Sequence, residues 1–328
     1  MSSNRFIRWG VESAYGTAVT PSVYWDIASE SLKLKIDTRT IQPARSHSAT
    51  RQLQTRRSVA GGIDIYSNYT ALGKVLKQVI SAPVTSTLAA GAYQHVFTPS
   101  GQYVPSSLTV DVARDIALHR YTGVGFTAAR LSMSTADRHF GLSLDCIGKD
   151  ESDAGALPSP AESVFLKPAQ IGDDAAASKF SVVVDDGSTS WTANLDTLDF
   201  QFRWNRRLRE VDRSFTPSGL IAGGIIGASA KLKWLYETDT EFLLNAYRNR
   251  TSVSVTFTMK GAVLSTGPTR YETLLIEFPI CKVMGEPPQV RTSGFGNLDF
   301  AIDGAALYSD AGGYGPFRVT LTSSASSY

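Results

Sequence analysis

The chain has 328 residues, 42% hydrophobic and 19% charged, and its 32 basic side chains nearly balance 30 acidic ones for a net charge of +2. Such a length suits two domains of roughly 100–200 residues, each able to bury a core. The charge balance argues against a polyanion binder driven by overall charge and against an acidic solvating chain.

Cys146 and Cys281 form neither a disulfide framework nor a zinc pattern. The opening Met1-Ser2-Ser3-Asn4-Arg5-Phe6 has no apolar core, so no signal peptide is expected. No run approaches the ~18 apolar residues of a transmembrane helix, so no membrane anchor is expected. Synthesis in a reducing cytoplasm is the default.

In chain order, residues 1–29 read as an extended arm, polar and turn-like at Glu12-Ser13-Ala14-Tyr15-Gly16-Thr17-Ala18 and broken by Pro21. Ser31 to Ile36 alternates with the period of a half-buried strand. From there to Asp64 lies a stretch poor in large apolar residues that carries Arg39, Arg45, Arg51, Arg56 and Arg57. It reads as a long exposed loop or hairpin, and loops that long are usually functional or disordered.

Gly61 to Tyr66 resumes the alternation. Leu72, Val75, Leu76, Val79 and Ile80 then recur at helical spacing, and Pro83 ends the helix. A short strand is possible at Tyr93–Phe97. Ser107–Val112, Tyr121–Thr127, Ala129–Ser134 and His139–Ile147 form a run of short strands, the pattern of an antiparallel sheet or sandwich. Asp150–Pro160, acidic and proline-containing, reads as a boundary too polar to pack. After a second soft stretch, Phe180–Val184 is a strand candidate.

The order then recurs. Leu198, Phe200 and Phe202 echo Leu32, Leu34 and Ile36. Arg203, Arg206, Arg207, Arg209 and Arg213 echo the first basic stretch, diluted by Glu210 and Asp212. Ala228–Tyr236 is a strand, Thr238–Tyr247 a helix, and Ser252–Met259, Tyr271–Phe278, Ile280–Met284 and Asn297–Ile302 are late strands. The expected division is an arm over 1–29, one copy over 30–150, a linker or insertion over 151–195 and a second copy over 196–328. The offset is too long for a solenoid repeat. Two similar surfaces on one chain point to symmetric assembly.

Little here supports chemistry. His47, His95, His119 and His139 have no ligand spacing with one another or with a cysteine. The cysteines read as small buried hydrophobes. No G-x-S-x-G, P-loop or H-E-x-x-H motif is present, and Gly123-Val124-Gly125 reads as a bulge or close approach inside a strand. No catalytic residue, cofactor or metal is assigned. The two Arg-rich stretches admit three readings: solvated hairpins, phosphate contacts, or subunit contacts in which Arg forks meet carboxylates. The balance of acids favours the third.

Several segments resemble the tail tube, or major tail, proteins of long-tailed (siphovirus-type) bacteriophages. They are Glu12–Ala18, Ser29-Glu30-Ser31-Leu32-Lys33, Ile41-Gln42-Pro43-Ala44-Arg45, Tyr93-Gln94-His95-Val96-Phe97-Thr98-Pro99 and Pro105-Ser106-Ser107-Leu108-Thr109-Val110. The resemblance extends over most of the chain in length and element order, and is specific in about the first hundred residues.

It implies a mainly β fold with short flanking helices: here, two tandem copies of a tube β-sandwich whose strands join into a ring-forming barrel. It further implies a non-enzymatic virion protein that polymerises as stacked rings, trimeric with pseudo-six-fold symmetry or, alternatively, hexameric. The implied partners are the tape-measure protein, tail tip and tail terminator proteins, and double-stranded DNA passing through the lumen without specific binding. Ring-to-ring contacts are then expected at Arg39, Arg45, Arg51, Arg56, Arg57, Arg203, Arg206, Arg207 and Arg209, and lumen positions at Asp111 and Asp299. The rival from another class is a secreted or surface β-sandwich adhesin or carbohydrate-binding module.

Overall fold

A computed structural model describes residues 5–42, 51–99, 103–134, 140–158, 165–166, 180–187, 190–193, 195–210, 214–222, 227–235, 241–266, 268–285, 297–303 and 315–328. The first half runs β1 (Phe6–Val11), β2 (Val23–Trp25), β3 (Ile27–Glu30), β4 (Lys33–Ile41) and the long β5 (Arg51–Ser67) into helix α1 (Tyr69–Val79). Then come β6 (Val84–Ala89), β7 (Ala92–Phe97), β8 (Leu108–Arg114), β9 (Ala117–Ser134), β10 (Phe140–Gly148) and β11 (Asp150–Asp153). The second half runs β12 (Phe165–Leu166), β13 (Phe180–Asp185), β14 (Ser190–Ala193), β15 (Leu195–Arg203), β16 (Arg206–Arg209), β17 (Gly219–Ala222) and β18 (Gly227–Leu235) into α2 (Glu241–Asn249). It closes with β19 (Ser252–Thr266), β20 (Thr269–Gly285), β21 (Asn297–Asp303) and β22 (Arg318–Ser323). The protein is mainly β, as the residue pattern and the resemblance both imply.

The helix forms where its apolar spacing predicts. Asn68 caps it by accepting from the Ala71 amide at 2.6 Å. Leu72, Val75, Leu76 and Val79 are buried, and the helix stops at Ile80, short of Pro83.

The strand pairings follow one order in each half. In the first it is β2–β1–β8–β9–β10–β5, with β3 and β4 both laid along β5. In the second it is β14–β13–β19–β20–β21–β18–β15. A later strand joins each: β11 on β9, and β22 on β20. Two longer ladders stitch the halves together, beside a short parallel contact of β12 with β2 at Phe165↔Tyr24 and Leu166↔Trp25. β15 pairs with β9 from Thr197↔Ser134 to Arg203↔Ala128, and β22 pairs with β7 from Val319↔Phe97 to Ser323↔Tyr93. Among the described residues the core is continuous across both stitches, from Ile7, Trp9 and Trp25 through Ile63, Leu131 and Leu142 to Phe200, Phe257 and Phe278.

Two segments differ from their sequence reading. Residues 6–11 and 23–25 do not form a free arm. Phe6, Ile7, Trp9 and Trp25 are buried in a sheet with β8. The acidic start of the expected linker is strand β11, held by Arg57 Nε on Asp150 at 2.6 Å and His119 Nδ1 against Glu151 at 2.8 Å. The first basic stretch is the extended hairpin β4–β5; its tip, with Arg45, lies outside the described residues. In addition, the short strands expected at 121–134 are one strand, β9, and those at 271–284 are one strand, β20.

Candidate assembly surfaces

The register sends both basic hairpins to the same end of the shared sheet. Ser67, Phe140, Ser134 and Thr197 lie together at one end, while β5 and β15 run from there toward Arg51 and Arg203 respectively. Arg39, Arg51, Arg203, Arg207 and Arg209 are exposed there. Arg56 and Arg57 are already engaged. Arg56 Nη1 meets Glu210 at 3.0 Å, and Arg57, besides its contact with Asp150, donates its amide to the Phe215 carbonyl at 2.7 Å. These contacts brace one hairpin against the other.

Arg206 leaves the surface set altogether. It is 7% exposed, its guanidinium lies 4.7 Å from the Trp204 ring centre, and its Nη2 donates to the Gln78 carbonyl at 3.2 Å. That carbonyl belongs to the C-terminal turn of α1, where a cation is favoured by the helix dipole. Burial pushes the Arg206 pKa down to about 10, which still leaves a cation at neutral pH. The hairpin reaches this seat because position 125 is glycine. A Cβ there would meet Leu220 Cδ1 at 2.6 Å and Arg206 Nη1 at 2.9 Å. Gly123, with φ +64, is a positive-φ position beneath Tyr15 and Lys149. The Gly-Val-Gly run thus marks a tight approach.

One face of β5, β10, β9 and β15 packs into the core through Ile63, Ile65, Leu142, Leu144, Ala129, Leu131, Leu198 and Phe200. The alternate positions are Asp64, Ser143, Asp145, Arg130, Ser132, Asp199 and Gln201, all outside the buried core. On this face Arg130 holds Asp199 through Nε at 2.7 Å and 2.8 Å, an ion pair that bridges the two halves.

Asp111 is not on it. It is wholly buried on β8, between Arg8 Nη2 at 2.9 Å and Arg120 Nε at 2.7 Å, with Arg8 also donating to the Tyr24 hydroxyl at 3.0 Å. Alternation alone suggested a solvent-facing acid. The two arginine stems that cover it come from neighbouring strands and are invisible in the local pattern. Asp299 lies in β21, in register with Lys233 of β18.

The Glu12–Ala18 segment has a structural role that its polarity hid. Glu12 is 4% exposed and accepts from Ser107 Oγ at 2.6 Å, Thr109 Oγ1 at 2.9 Å, the Gly16 amide at 2.7 Å and the Gly123 amide at 2.9 Å. Several donors on one carboxylate satisfy its lone pairs without a cation.

The C-terminal residues clasp the first half. The Tyr328 ring fills the notch left by Gly73 on α1, its Oη lies 2.7 Å from Ser323 Oγ, and Lys77 donates to its carbonyl. His95, fully buried, sits between Thr85 and the Ala325 carbonyl at 2.9 Å each, and burial lowers its pKa. Cys146 and Cys281 are buried thiols with raised pKa values, small hydrophobes as expected. His47 and His139 fall outside the described residues.

A family model described as phage tail tube protein matches residues 2–304. No curated protein matches the chain. The match covers the first half, most of the second, the braced hairpins and the β15–β9 junction, and the chain belongs to the phage tail tube protein family, structural proteins of the virion tail.

Proposed function

We propose that this chain assembles head to tail into closed rings that stack into the tail tube, and that each chain supplies two copies of one sheet unit. The observation that carries this reading is the pairing order shared by the two halves, together with the β15–β9 junction between them. That junction is heterologous: the first edge strand of the second half meets β9 of the first. Repeating a heterologous contact around an axis closes a ring. The equivalent surfaces on the outside of the chain are the edge of β3 and β4, which pairs with no strand among the described residues, and the C-terminal end of β20, and pairing removes such edges.

The shared order also redraws the copies. β1–β2 and β13–β14 hold matching positions, so the arm and the insertion read as one element used twice. A chain with two copies favours trimeric rings with pseudo-six-fold symmetry; hexameric rings are the alternative. The polar face bearing Asp64, Arg130, Ser143, Asp145, Asp199 and Gln201 suits a lumen through which double-stranded DNA slides without specific binding, with Asp299 a further candidate by its place in β21. Arg130 is paired with Asp199, which takes one positive charge on this face out of reach of phosphate.

The exposed Arg39, Arg51, Arg203, Arg207 and Arg209 suit ring-to-ring contacts, with Arg45 in the same hairpin by sequence. The tape-measure protein inside the tube, and tip and terminator proteins at its ends, complete the reading. No catalytic role is assigned.

Electron microscopy with mass photometry of the purified chain tests it. Hollow tubes built from trimeric rings are expected. Monodisperse monomers at every salt concentration would overturn the proposal, and hexameric rings would replace the two-copy symmetry. Arg207→Glu with Arg209→Glu is expected to leave rings but stop their stacking.

A further inference from the structure

Hairpin β4–β5 carries apolar surface that a solvated hairpin has no use for. Ile36, Ile41 and Leu53 are 49%, 37% and 48% exposed. The register sets Arg39 opposite Leu53 and Ile41 opposite Arg51, and directly opposed residues share a face. Arg39, Ile41, Arg51 and Leu53 therefore form one apolar and basic surface.

Hairpin β16–β17 has the corresponding place in the second half, and it is seated. Leu208 and Leu220 are partly buried, Arg206 is buried, and the seat is made by β9 at Gly125 and the end of α1. Both seat elements belong to the other half. They come within reach because β15 lies beside β9.

Strand β4 lies along β5 as β15 lies along β18, but among the described residues nothing pairs with the outer edge of β4. The elements corresponding to β9 and α1 are β20 and α2, and among the described residues they have no such hairpin on them. Both helices carry a basic residue in the last turn, Lys77 on α1 and Arg248 on α2, and α1 receives Arg206 in addition. To that seat β4–β5 offers Ile41 and Leu53, with Arg39 and Arg51 on the same face.

We infer that β4–β5 seats laterally on a second copy of this chain, against the C-terminal end of β20 and the last turn of α2. The inference rests on the ring reading above and goes beyond it. It makes the hairpin a clamp between neighbours in one ring, moves Arg39 and Arg51 into that lateral contact, and leaves Arg203, Arg207 and Arg209 for the next ring.

The test is Ile41→Asp with Leu53→Asp, compared with wild type by mass photometry and negative-stain microscopy, with thermal melts to verify folding. The expected result is a monomer that melts with wild type, and a ring population reduced at least tenfold at a concentration where wild type forms rings. Variant rings as abundant as wild-type rings would overturn the clamp while leaving the ring reading intact. Single rings that form normally but fail to stack would also overturn it, by making the hairpin a ring-to-ring contact. Absence of rings from wild type itself would overturn both. Should the double variant unfold, Ile41→Ser with Leu53→Ser provides the same comparison with a smaller perturbation.

Discussion

The two basic hairpins begin from matching strands and end in different states. β4–β5 continues straight out of its sheet, with most of its outer residues exposed. β16–β17 separates from β15 and β18, pairs only with itself among the described residues, and folds onto the other half. Similar arginine content therefore does not encode a similar role. What differs is the neighbour: Gly125 leaves room for Leu220, and Trp204 and the end of α1 receive Arg206.

The harshest way to break the comparison is at the core that holds β15 in place. Phe200 lies edge-on to Phe257 at 4.7 Å and is 1% exposed. Phe200→Ala is expected to cost about 3–5 kcal/mol, measured as a drop in the denaturant midpoint, and a loss under about 1 kcal/mol would show that the halves stand independently.

Next in size is Gly125→Ala, which forces Leu220 and Arg206 to move. It is expected to cost roughly 1–3 kcal/mol and to release β16–β17. Trypsin should then cut at Arg207 and Arg209 as readily as at Arg39 and Arg51; unchanged protection would mean that the seat does not depend on the glycine.

A smaller effect is expected from acid. The folded His95 pKa lies below its ordinary value of 6.5, so below that pH the unfolded chain takes up a proton that the folded chain resists. Stability should be unaffected by this group above pH 6.5 and decline as pH falls below it, until the folded pKa is reached. Melting temperatures at pH 7.5 and 5.5 should show a smaller acid-induced drop in His95→Gln than in wild type.

Arg130→Gln, on an exposed ion pair, should change stability by only about 0.2–1 kcal/mol. Ile36→Ser should change it by less than about 0.5 kcal/mol in the monomer, because a residue 49% exposed has little to lose before assembly. A large loss there would mean that the hairpin is already seated.

Much of the fold was legible because periodicity is local. The apolar spacing of Leu72 to Ile80 placed α1, and alternation placed parts of β4, β5, β10, β15 and β18. What local pattern could not carry was any polar residue whose partners are distant in sequence. Glu12 reads as a turn residue until Ser107, Thr109 and Gly123 surround it. Asp111 reads as an exposed strand acid until Arg8 and Arg120 close over it. Asp150 and Glu151 read as linker until Arg57 and His119 meet them. Arg206 could not be told from its neighbours in a run of arginines. The one signal available for its burial was Trp204 two residues earlier, a large ring that a solvated hairpin would not carry.

The β22–β7 stitch has a consequence in time. β7 is made long before its partner. His95 waits for Ala325 across 230 residues of chain, and Lys77 for Tyr328 across 251. Contacts so distant in sequence form slowly. Until β22 and Tyr328 leave the ribosome, the β7 edge and the Gly73 notch stay open, and the first half has no complete core of its own. A nascent chain interrupted before β22 would present an unpaired strand beside an uncovered helix, an aggregation-prone state. The arrival of β22 thus completes the fold of a half that was made long before it.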